Sequence, residues 1–591
     1  MMNLTKFLSR VDTAMAGMAE EELQDFIHGY ARVLPEDKRD NFLKRLLKAG
    51  VEPGTGQSGK QAEGSDKELI REEISQIRGN LCRIENGELC LVGNLNEEYD
   101  DWYDSMSDEF IFEDPDKVGK LIEEACGLVH KCVDHEMYAE GYALADNILL
   151  LTIQVNGDYY DNGGAELSLN DSEVRNLNNA DYRQLILDML LSAYRTLPAD
   201  ERPDELYRII CGANRNDITL EALIQEGKEE LEGLNEFMDL WISYLGLQKS
   251  RWAETLLAEA LALCGNMEKS IKAARMFSKE HPSLYEYILK QNLDSGNEEK
   301  LALGLEALGA VPARYVIRSR IALLTAVHAL RLGQRETAEM CWLEAFQSNT
   351  EPVQYLRLAV ESVDFSKYRE QAGNIYKKVY ADARKTGGYL HQAGELSENG
   401  MDDRTYYMLA FLNGDFDTVM NDGMAEKEPL GWSYTFMKCG VAAFLLYLYQ
   451  GKDMQAGCRY MCGILVQTIS FTVEKYSQGL DQPLKSNDML LFWECFCKWK
   501  AMTPMPETLQ EELLQRLENW IQMRIEDIMD GSHRKYYGEC AAFIAGLGEV
   551  RQSRGELNAK SKMMESFKKA YSRRSAFHKE LREFGMKDKK K

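Results

Sequence analysis

One stretch of this chain repeats a pattern of apolar and small residues around a glycine, and that pattern constrains the fold more than any other feature. Between residues 252 and 282, such residues recur at helical spacing before Gly265 and again after it, and Pro282 ends the series. A glycine between two amphipathic segments favours a turn between two helices. The positions predicted to pack the two helices are Leu257, Ala258, Leu261, Ser270, Ala274 and Phe277.

The same pattern returns further along the chain. Gly333 follows Gly265 by 68 residues, which is two periods of about 34, and Lys367 takes the turn position one period later. The residues that match the packing positions of the first copy are Ala326, Ala338, Trp342, Ala345 and Ala372. Looser copies are centred on Gly296, Gly414, Gly451 and Gly555.

The series 252–382 resembles the tetratricopeptide repeat (TPR), a helical hairpin with small residues where its two helices cross. The resemblance implies a mostly α chain, built as a TPR-like α-solenoid in which stacked hairpins bury one another's apolar faces. The same residues leave open an ordinary irregular helical bundle whose glycine turns fall at these intervals by accident.

The end of the chain, from about residue 536 to 584, is also similar to the C-terminal tail of bacterial helical-repeat proteins that carry SWIM zinc fingers. A SWIM finger needs a CxC followed by a CxH. Cys495-Phe496-Cys497 supplies the first part, but no CxH follows it. The resemblance therefore implies the helical tail and no zinc.

Changes in composition divide the chain into five predicted segments. A glycine-rich polar stretch is typical of a linker, and the repeats occupy most of the chain on its C-terminal side. The segments are 1–50, an N-terminal helical module; 51–65, a flexible linker; 66–180, a helical region with a possible short β-hairpin near 81–93; 181–550, the TPR-like repeats; and 551–591, a basic capping helix with a frayed tail.

Two features stand out within 66–180. Apolar and polar residues alternate around Asn86-Gly87, a dipeptide that favours a hairpin turn, and this predicts the β-hairpin. In the stretch 97–116, ten of the twenty residues are acidic and five are aromatic. This stretch could hold calcium, receive a basic partner, or form a solvated surface whose aromatic rings dock on neighbouring helices.

The chain is acidic, with 70 Lys and Arg against 96 Asp and Glu and a net charge of −26, which disfavours non-specific binding to nucleic acid or to anionic membranes. Its start has no apolar secretory signal, and its longest apolar run, 441–449, is too short to span a membrane. Thirteen irregularly spaced cysteines are typical of reduced core residues. We therefore expect a cytoplasmic protein that does not bind membranes.

Motifs for catalysis or cofactor binding are weak. The stretch 54–60 fits GxxxxGK, but Gln61 stands where a phosphate-binding loop needs a hydroxyl, and no apolar strand precedes it. His135-Glu136 begins an HExxH-like run that has Ala139 at the second ligand position. On one helix Cys126 and His130 share a face that Cys132 and His135 do not. We predict no catalytic, cofactor or metal-binding residue.

The C-terminal end has the opposite charge from the rest of the chain. Residues 560–591 contain twelve Lys and Arg and four acidic residues. Such a helix could contact RNA or DNA phosphates, or it could cap the last apolar face of the repeats. The residues predicted for contact with nucleic acid are Lys568, Lys569, Arg573 and Arg574.

These observations favour a non-enzymatic protein-interaction scaffold, in which a preformed helical-repeat surface binds a peptide or a partner protein. The first alternative is an accessory subunit of a nucleic-acid-handling complex that contacts RNA or DNA through the basic C-terminal helix. The second is an enzyme with a site in 66–180, the region least like a repeat.

Overall fold

The structure is a computed structural model, and it describes residues 59–95, 110–161, 166–226, 231–291, 296–385, 396–426 and 428–586. Most of these residues are helical, and the strands form one small sheet, so the predicted mostly α, helical-repeat fold with a small β element is confirmed. The predicted N-terminal module, 1–50, lies outside the described residues. Among those described, none of the helices combines the length and the apolar character that crossing a membrane requires.

The chain divides into two compact units between Leu185 and Ile186, five residues beyond the predicted boundary at 180/181. The first unit combines a four-stranded sheet with helices of very different lengths. Its elements are α1 (Gly59–Glu85), β1 (Leu91–Leu95), β2 (Phe110–Glu113), α2 (Val118–Asp134), α3 (Tyr138–Leu149), β3 (Thr152–Asn156), α4 (Asp158–Asp161), β4 (Glu166–Ser168), α5 (Ser172–Asn176) and the start of α6 (Tyr182–Thr196).

Helix α1 forms because its apolar residues follow a stripe three and four positions apart. The buried members of this stripe are Ile70, Ile74, Ile77, Leu81 and Ile84, and α1 packs on α2. The helix already begins at Gly59, so the last seven residues of the predicted linker are helical rather than extended. Four consecutive residues there, 60–63, are Lys, Gln, Ala and Glu, which favour a helix. The remainder of the linker, 51–58, is not among the described residues.

The predicted hairpin near 81–93 is wrong in detail, although the sheet lies close to it. Residues 81–85 are the last turn of α1, and Gly87, with φ +71°, ends the helix. Leu81 and Ile84 continue the α1 stripe, so helical burial overrides the local alternation. Strand β1 instead pairs antiparallel with β2 and parallel with β3, and the strand order is β2-β1-β3-β4.

The second unit is all helical in the residues described. Its α-helices are the rest of α6, α7 (Arg202–Ala213), α8 (Leu220–Glu226), α9 (Leu234–Leu245), α10 (Arg251–Cys264), α11 (Met267–Met276), α12 (Ser283–Lys290), α13 (Asn297–Ala310), α14 (Val316–Arg331), α15 (Arg335–Ser348), α16 (Pro352–Glu361), α17 (Ser366–Lys385), α18 (Asp403–Asn413), α19 (Phe416–Thr418), α20 (Met437–Leu448), α21 (Ala456–Thr468), α22 (Val473–Ser477), α23 (Asp488–Met502), α24 (Glu507–Asp530), α25 (Tyr537–Ser553), α26 (Ala559–Ala570) and α27 (Ser575–Glu583). A π-helical turn, Val419–Gly423, follows α19, and 3₁₀ turns occupy Pro429–Ser433 and Arg534–Tyr536.

In the second unit, residues far apart in the sequence make contacts in addition to those between successive helices. The segment 473–481 lies on α14, α15 and α16, more than a hundred residues earlier in the chain. Trp342 Nε1 donates to Gly479 O at 2.9 Å, and the fully buried Arg357 donates through Nε to Tyr476 O at 2.9 Å. One continuous apolar core consequently runs from Leu301 to Met586.

Helix α25 is the centre of the C-terminal part of this core. It contacts α20, α21, α24, α26 and α27, and nearly every residue from 537 to 550 is buried. Gly457 on α21 lets its backbone approach that of α25 closely at Ala545 and Gly546. A helix that is buried on every side, as α25 is from Tyr537 to Val550 with the exception of Gly538, lies at the centre of a core rather than on its surface.

One buried histidine makes the stability of this unit depend on pH. His328 on α14 is fully buried, with Nδ1 2.9 Å from Asn297 Oδ1 and Nε2 3.2 Å from Leu289 O. Burial lowers the pKa of His328, so the unfolded chain binds its proton more readily than the folded chain does. The contribution of neutral His328 to the free energy of unfolding is therefore fully present above a pH of about 6.5, the pKa of histidine in the unfolded chain. This contribution decreases as the pH falls below that value.

We expect His328→Gln to flatten the acid side of the stability profile, by up to about 1.4 kcal/mol per pH unit. Urea unfolding of wild type and variant between pH 7.5 and 5 measures this difference. His533→Gln, at a partly exposed histidine, is the control. Parallel profiles for wild type and His328→Gln would contradict the prediction.

Candidate interaction surface

Most of the predicted repeat-packing residues lie at helix contacts in the second unit. Ala326 on α14 and Ala338, Trp342 and Ala345 on α15 are fully buried where these helices form a hairpin. Gly333, in the turn between them, has φ +71°, a conformation that favours glycine. Ala372 on α17 is also fully buried.

The first copy of the repeat packs differently from the α14–α15 hairpin. Gly265, with φ +59°, does end α10, but α10 packs mainly on α9 and α11 mainly on α12. The Phe277 ring lies against Gly246, just after α9, where no side chain is in the way. Ser270, Ala274 and Pro282 are buried, and Ala258 is partly buried. The spacing located the turn but not the partners of its two helices.

The four basic residues predicted to contact nucleic acid differ in their solvent exposure. Lys569 and Arg573 are exposed, whereas Lys568 and Arg574 are partly buried. Arg574 donates through Nη2 to Met529 O at 2.7 Å and through Nη1 to Ser532 Oγ at 2.9 Å. Helices α26 and α27 pack on α25 through Met564, Phe577 and Leu581. Arg574 thus attaches these helices to the end of α24.

The weaker motifs of the first unit stay apart in the structure. Cys126 and Cys132 are buried, His130 is exposed, and no three His, Cys, Asp or Glu side chains among the described residues come close enough to hold a metal ion. Most of the phosphate-loop-like stretch and residues 97–109 lie outside the described residues. In the described remainder of the acidic stretch, Asp114 accepts from the backbone N–H groups of Val118 and Gly119 at 2.7 and 2.8 Å and so caps α2.

A cleft of about 360 Å³ in the first unit lies between α1 and α2. Its charged residues include Glu73 and Lys131, which pair with each other at 2.7 Å. This ion pair links α1 and α2 beside the cleft.

A cluster of aromatic rings lies on α17 and α18 in the second unit. We call Tyr376, Tyr380, Tyr406, Tyr407 and Arg384 the tyrosine ledge. The Tyr380 and Tyr406 rings stack with centroids 3.9 Å apart, and Arg384 Cζ lies 5.2 Å from the Tyr380 centroid. Tyr376 is buried, the other three rings are partly exposed, and Arg384 is exposed.

Local sequence explains why the ledge forms. Tyr376, Tyr380 and Arg384 recur every four residues and so share one side of α17. The Tyr407 ring packs against Gly423 in the π-helical turn. A Cβ at residue 423 would come within 2.8 Å of the ring, so only glycine permits this contact. The Tyr380 hydroxyl donates to Asp403 Oδ1 at 2.7 Å. Burial, followed by the Asp403 hydrogen bond, raises the pKa of Tyr380.

A cleft of about 280 Å³ lies on another side of the same helix, roughly 120° around its axis from the ledge. Its apolar lining comes from Ala313, Ile375, Val379 and Ala383, and its polar lining from Arg314, Gln347, Lys378, Asp382, Glu398 and Asn399. Segment 397–399 forms one wall and is fastened to the start of α14, because Val316 N donates to Ser397 O and Asn399 N to Arg314 O at 2.9 and 2.8 Å.

Helix α17 is positively charged, whereas the chain as a whole is negatively charged. The helix has six basic and two acidic residues, a net charge of +4 in a protein of −26. The repeat spacing indicates Ala372 on this helix as a packing residue, and it does not indicate Tyr380 or Arg384. Their spacing of four from Tyr376 was the available signal.

No protein-family model matches the chain, and no curated protein matches it.

Proposed function

We propose that this protein is a TPR-like interaction scaffold and that α17 is the centre of its binding surface. The observation that carries the proposal is the partly exposed stack of Arg384, Tyr380 and Tyr406. Tyrosine and arginine are over-represented among the residues that dominate binding energy at protein interfaces. Rigid, stacked rings also lose little conformational freedom when a partner binds.

The partner that fits this surface is a segment of another protein with an apolar side chain flanked by acidic ones. Ile375 and Val379 offer an apolar lining in the neighbouring cleft. Lys378 and Arg384 place exposed positive charge on the two sides of the helix. Charge of this kind raises the association rate and the specificity for an acidic partner.

The double variant Tyr380→Ala/Arg384→Ala tests the proposal. We expect it to weaken partner binding by a factor of about thirty or more, because truncating an interface anchor typically costs at least 2 kcal/mol. The measurement is quantitative affinity capture from the cells in which the protein is native, followed by titration of the recovered partner. The double variant Lys272→Ala/Leu557→Ala, at exposed positions on α11 and just before α26, is the matched control.

A partner recovered in stoichiometric amount with wild type and control, and lost with the ledge variant, would support the scaffold. Equal recovery with all three proteins would place the binding surface elsewhere. Recovery of RNA or DNA that disappears with Lys569→Glu/Arg573→Glu, and of no protein partner, would favour the nucleic-acid alternative instead.

A further inference from the structure

A second cleft of about 400 Å³ lies in the C-terminal part of the second unit, between the end of α20 and the last turns of α23. Aromatic and apolar side chains make up much of its wall, and the Tyr449 and Trp493 ring centroids are 6.2 Å apart. The lining residues that matter here are Tyr447, Tyr449, Trp493, Lys500, Met505 and Gln510. This volume falls within the range typical of small-molecule sites.

Lys500 brings a positive charge into this cleft without a carboxylate to balance it. Its Nζ donates to Tyr449 O at 2.6 Å and lies 5.6 Å from the Tyr447 ring centroid. Within the described parts of the chain, no Asp or Glu lies within ion-pair distance of Lys500. Burial and the nearby Arg554 lower the pKa of Lys500, with burial the larger cause.

Two other partly buried lysines of the second unit show what is unusual about Lys500. Lys438 pairs with Glu539 at 2.8 Å, and Lys560 pairs with Glu549 at 2.7 Å. A partly buried charge normally needs such a partner, because it has lost much of its hydration. In a chain with 96 acidic residues, the missing carboxylate at Lys500 is a local exception.

A second cation lies next to the first. Arg554 Nη1 donates to Gln510 Oε1 at 2.9 Å, and Gln510 lines the cleft. The bond to Tyr449 O satisfies one of the three donors of the Lys500 ammonium and one carbonyl at the end of α20. The other donors remain for a group that enters the cleft.

We propose that this cleft binds a small organic carboxylate with a flat apolar body. The carboxylate pairs with Lys500 Nζ and supplies the missing negative charge. The body packs against Trp493, Tyr449 and Met505. This binding function is independent of the α17 surface, so either proposal can fail without the other.

The test uses the full-length chain and defined probes. Benzoate, 3-phenylpropionate and indole-3-acetate are titrated against benzyl alcohol, indole and inorganic phosphate, with isothermal titration calorimetry as readout. We expect at least one aromatic carboxylate to bind with a Kd below about 1 mM. The neutral compounds should bind at least about tenfold more weakly because they lack the charge-assisted hydrogen bond to Lys500. Phosphate should also bind at least about tenfold more weakly, because it has no apolar body to pack against the aromatic wall.

Lys500→Met retains most of the apolar side chain and removes the charge, so it should weaken carboxylate binding at least about tenfold. Lys498→Met is the matched control, because Lys498 is exposed on the same helix and should leave binding unchanged. Carboxylates that bind no better than their neutral counterparts, or equally well to Lys500→Met, would overturn the proposal.

A measurement on the wild-type protein avoids any dependence on how the variant folds. Acetylation of Lys500 by a water-soluble reagent is followed by mass spectrometry with and without about 10 mM of the best carboxylate. We expect the carboxylate to slow acetylation of Lys500 at least about fivefold while leaving Lys498 unchanged. Equal rates at Lys500 with and without the compound would count against the site.

Discussion

Replacing Glu549 by alanine is expected to lower the free energy of unfolding of the second unit by about 3–5 kcal/mol, the usual cost of breaking a buried ion pair. The Glu549 side chain is fully buried on α25. It accepts hydrogen bonds from Gly457 N at 2.9 Å, Cys458 N at 2.7 Å and Lys560 Nζ at 2.7 Å. One carboxylate therefore caps α21 and balances Lys560 on α26, and its removal leaves all three donors without an acceptor.

Chemical denaturation followed by tryptophan fluorescence measures this effect, because seven of the eight tryptophans belong to the second unit. Glu556→Ala is the matched control. Glu556 pairs with Arg551 at 3.1 Å on the surface, and such pairs contribute about 0–1 kcal/mol. If Glu549→Ala and Glu556→Ala shifted the unfolding midpoint equally, the capping role of Glu549 would be refuted.

Gly457→Ala is expected to destabilise the same unit by about 1–3 kcal/mol or more, as overpacking of a tight contact does. A Cβ at Gly457 would come within 2.6 Å of Ala545 C and 2.7 Å of Gly546 Cα. These are backbone atoms of α25, which cannot move aside as a side chain could. Helices α21 and α25 would have to separate, and the Glu549 cap would be strained with them.

The residue on the other side of this crossing supplies the control. A Cβ at Gly546 would have Met461 Cγ as its nearest neighbour, at an ordinary 3.5 Å. Gly546→Ala should therefore be neutral or stabilising by up to about 1 kcal/mol, because alanine favours a helix more than glycine does. Thermal unfolding of both variants beside wild type measures the contrast. If Gly546→Ala lowered the free energy of unfolding as much as Gly457→Ala, the predicted difference between the two glycines would be wrong.

The sequence predicted the features that depend on local spacing. Gly265 and Gly333 lie in left-handed turns between helices, and Ala338, Trp342 and Ala345 are buried. Local spacing failed at residues 81–85, where the alternating pattern and the helical stripe of α1 competed for the same residues. The longer stripe prevailed because it buries Leu81 and Ile84 against the rest of the first unit.

Contacts between distant residues could not be predicted in this way. Trp342 appeared in the sequence as a repeat-packing residue, but nothing near it indicates its hydrogen bond to Gly479. The charge of Lys500 is visible in the sequence, whereas the lack of a carboxylate beside it depends on which helices surround α23. The tyrosine ledge is an intermediate case. The spacing of its three residues on α17 is visible in the sequence, whereas the position of Tyr406 and Tyr407 beside them depends on how α18 packs.

The attachment of 473–481 to α14, α15 and α16 limits how this architecture can change in evolution. In an open array, a duplicated hairpin only lengthens the protein. Here an extra hairpin between 362 and 470 would carry Gly479 and Tyr476 away from Trp342 and Arg357, and the buried arginine would lose its acceptors. Relatives of different length should therefore differ in the number of helices before α13, where neighbouring helices make most of the contacts.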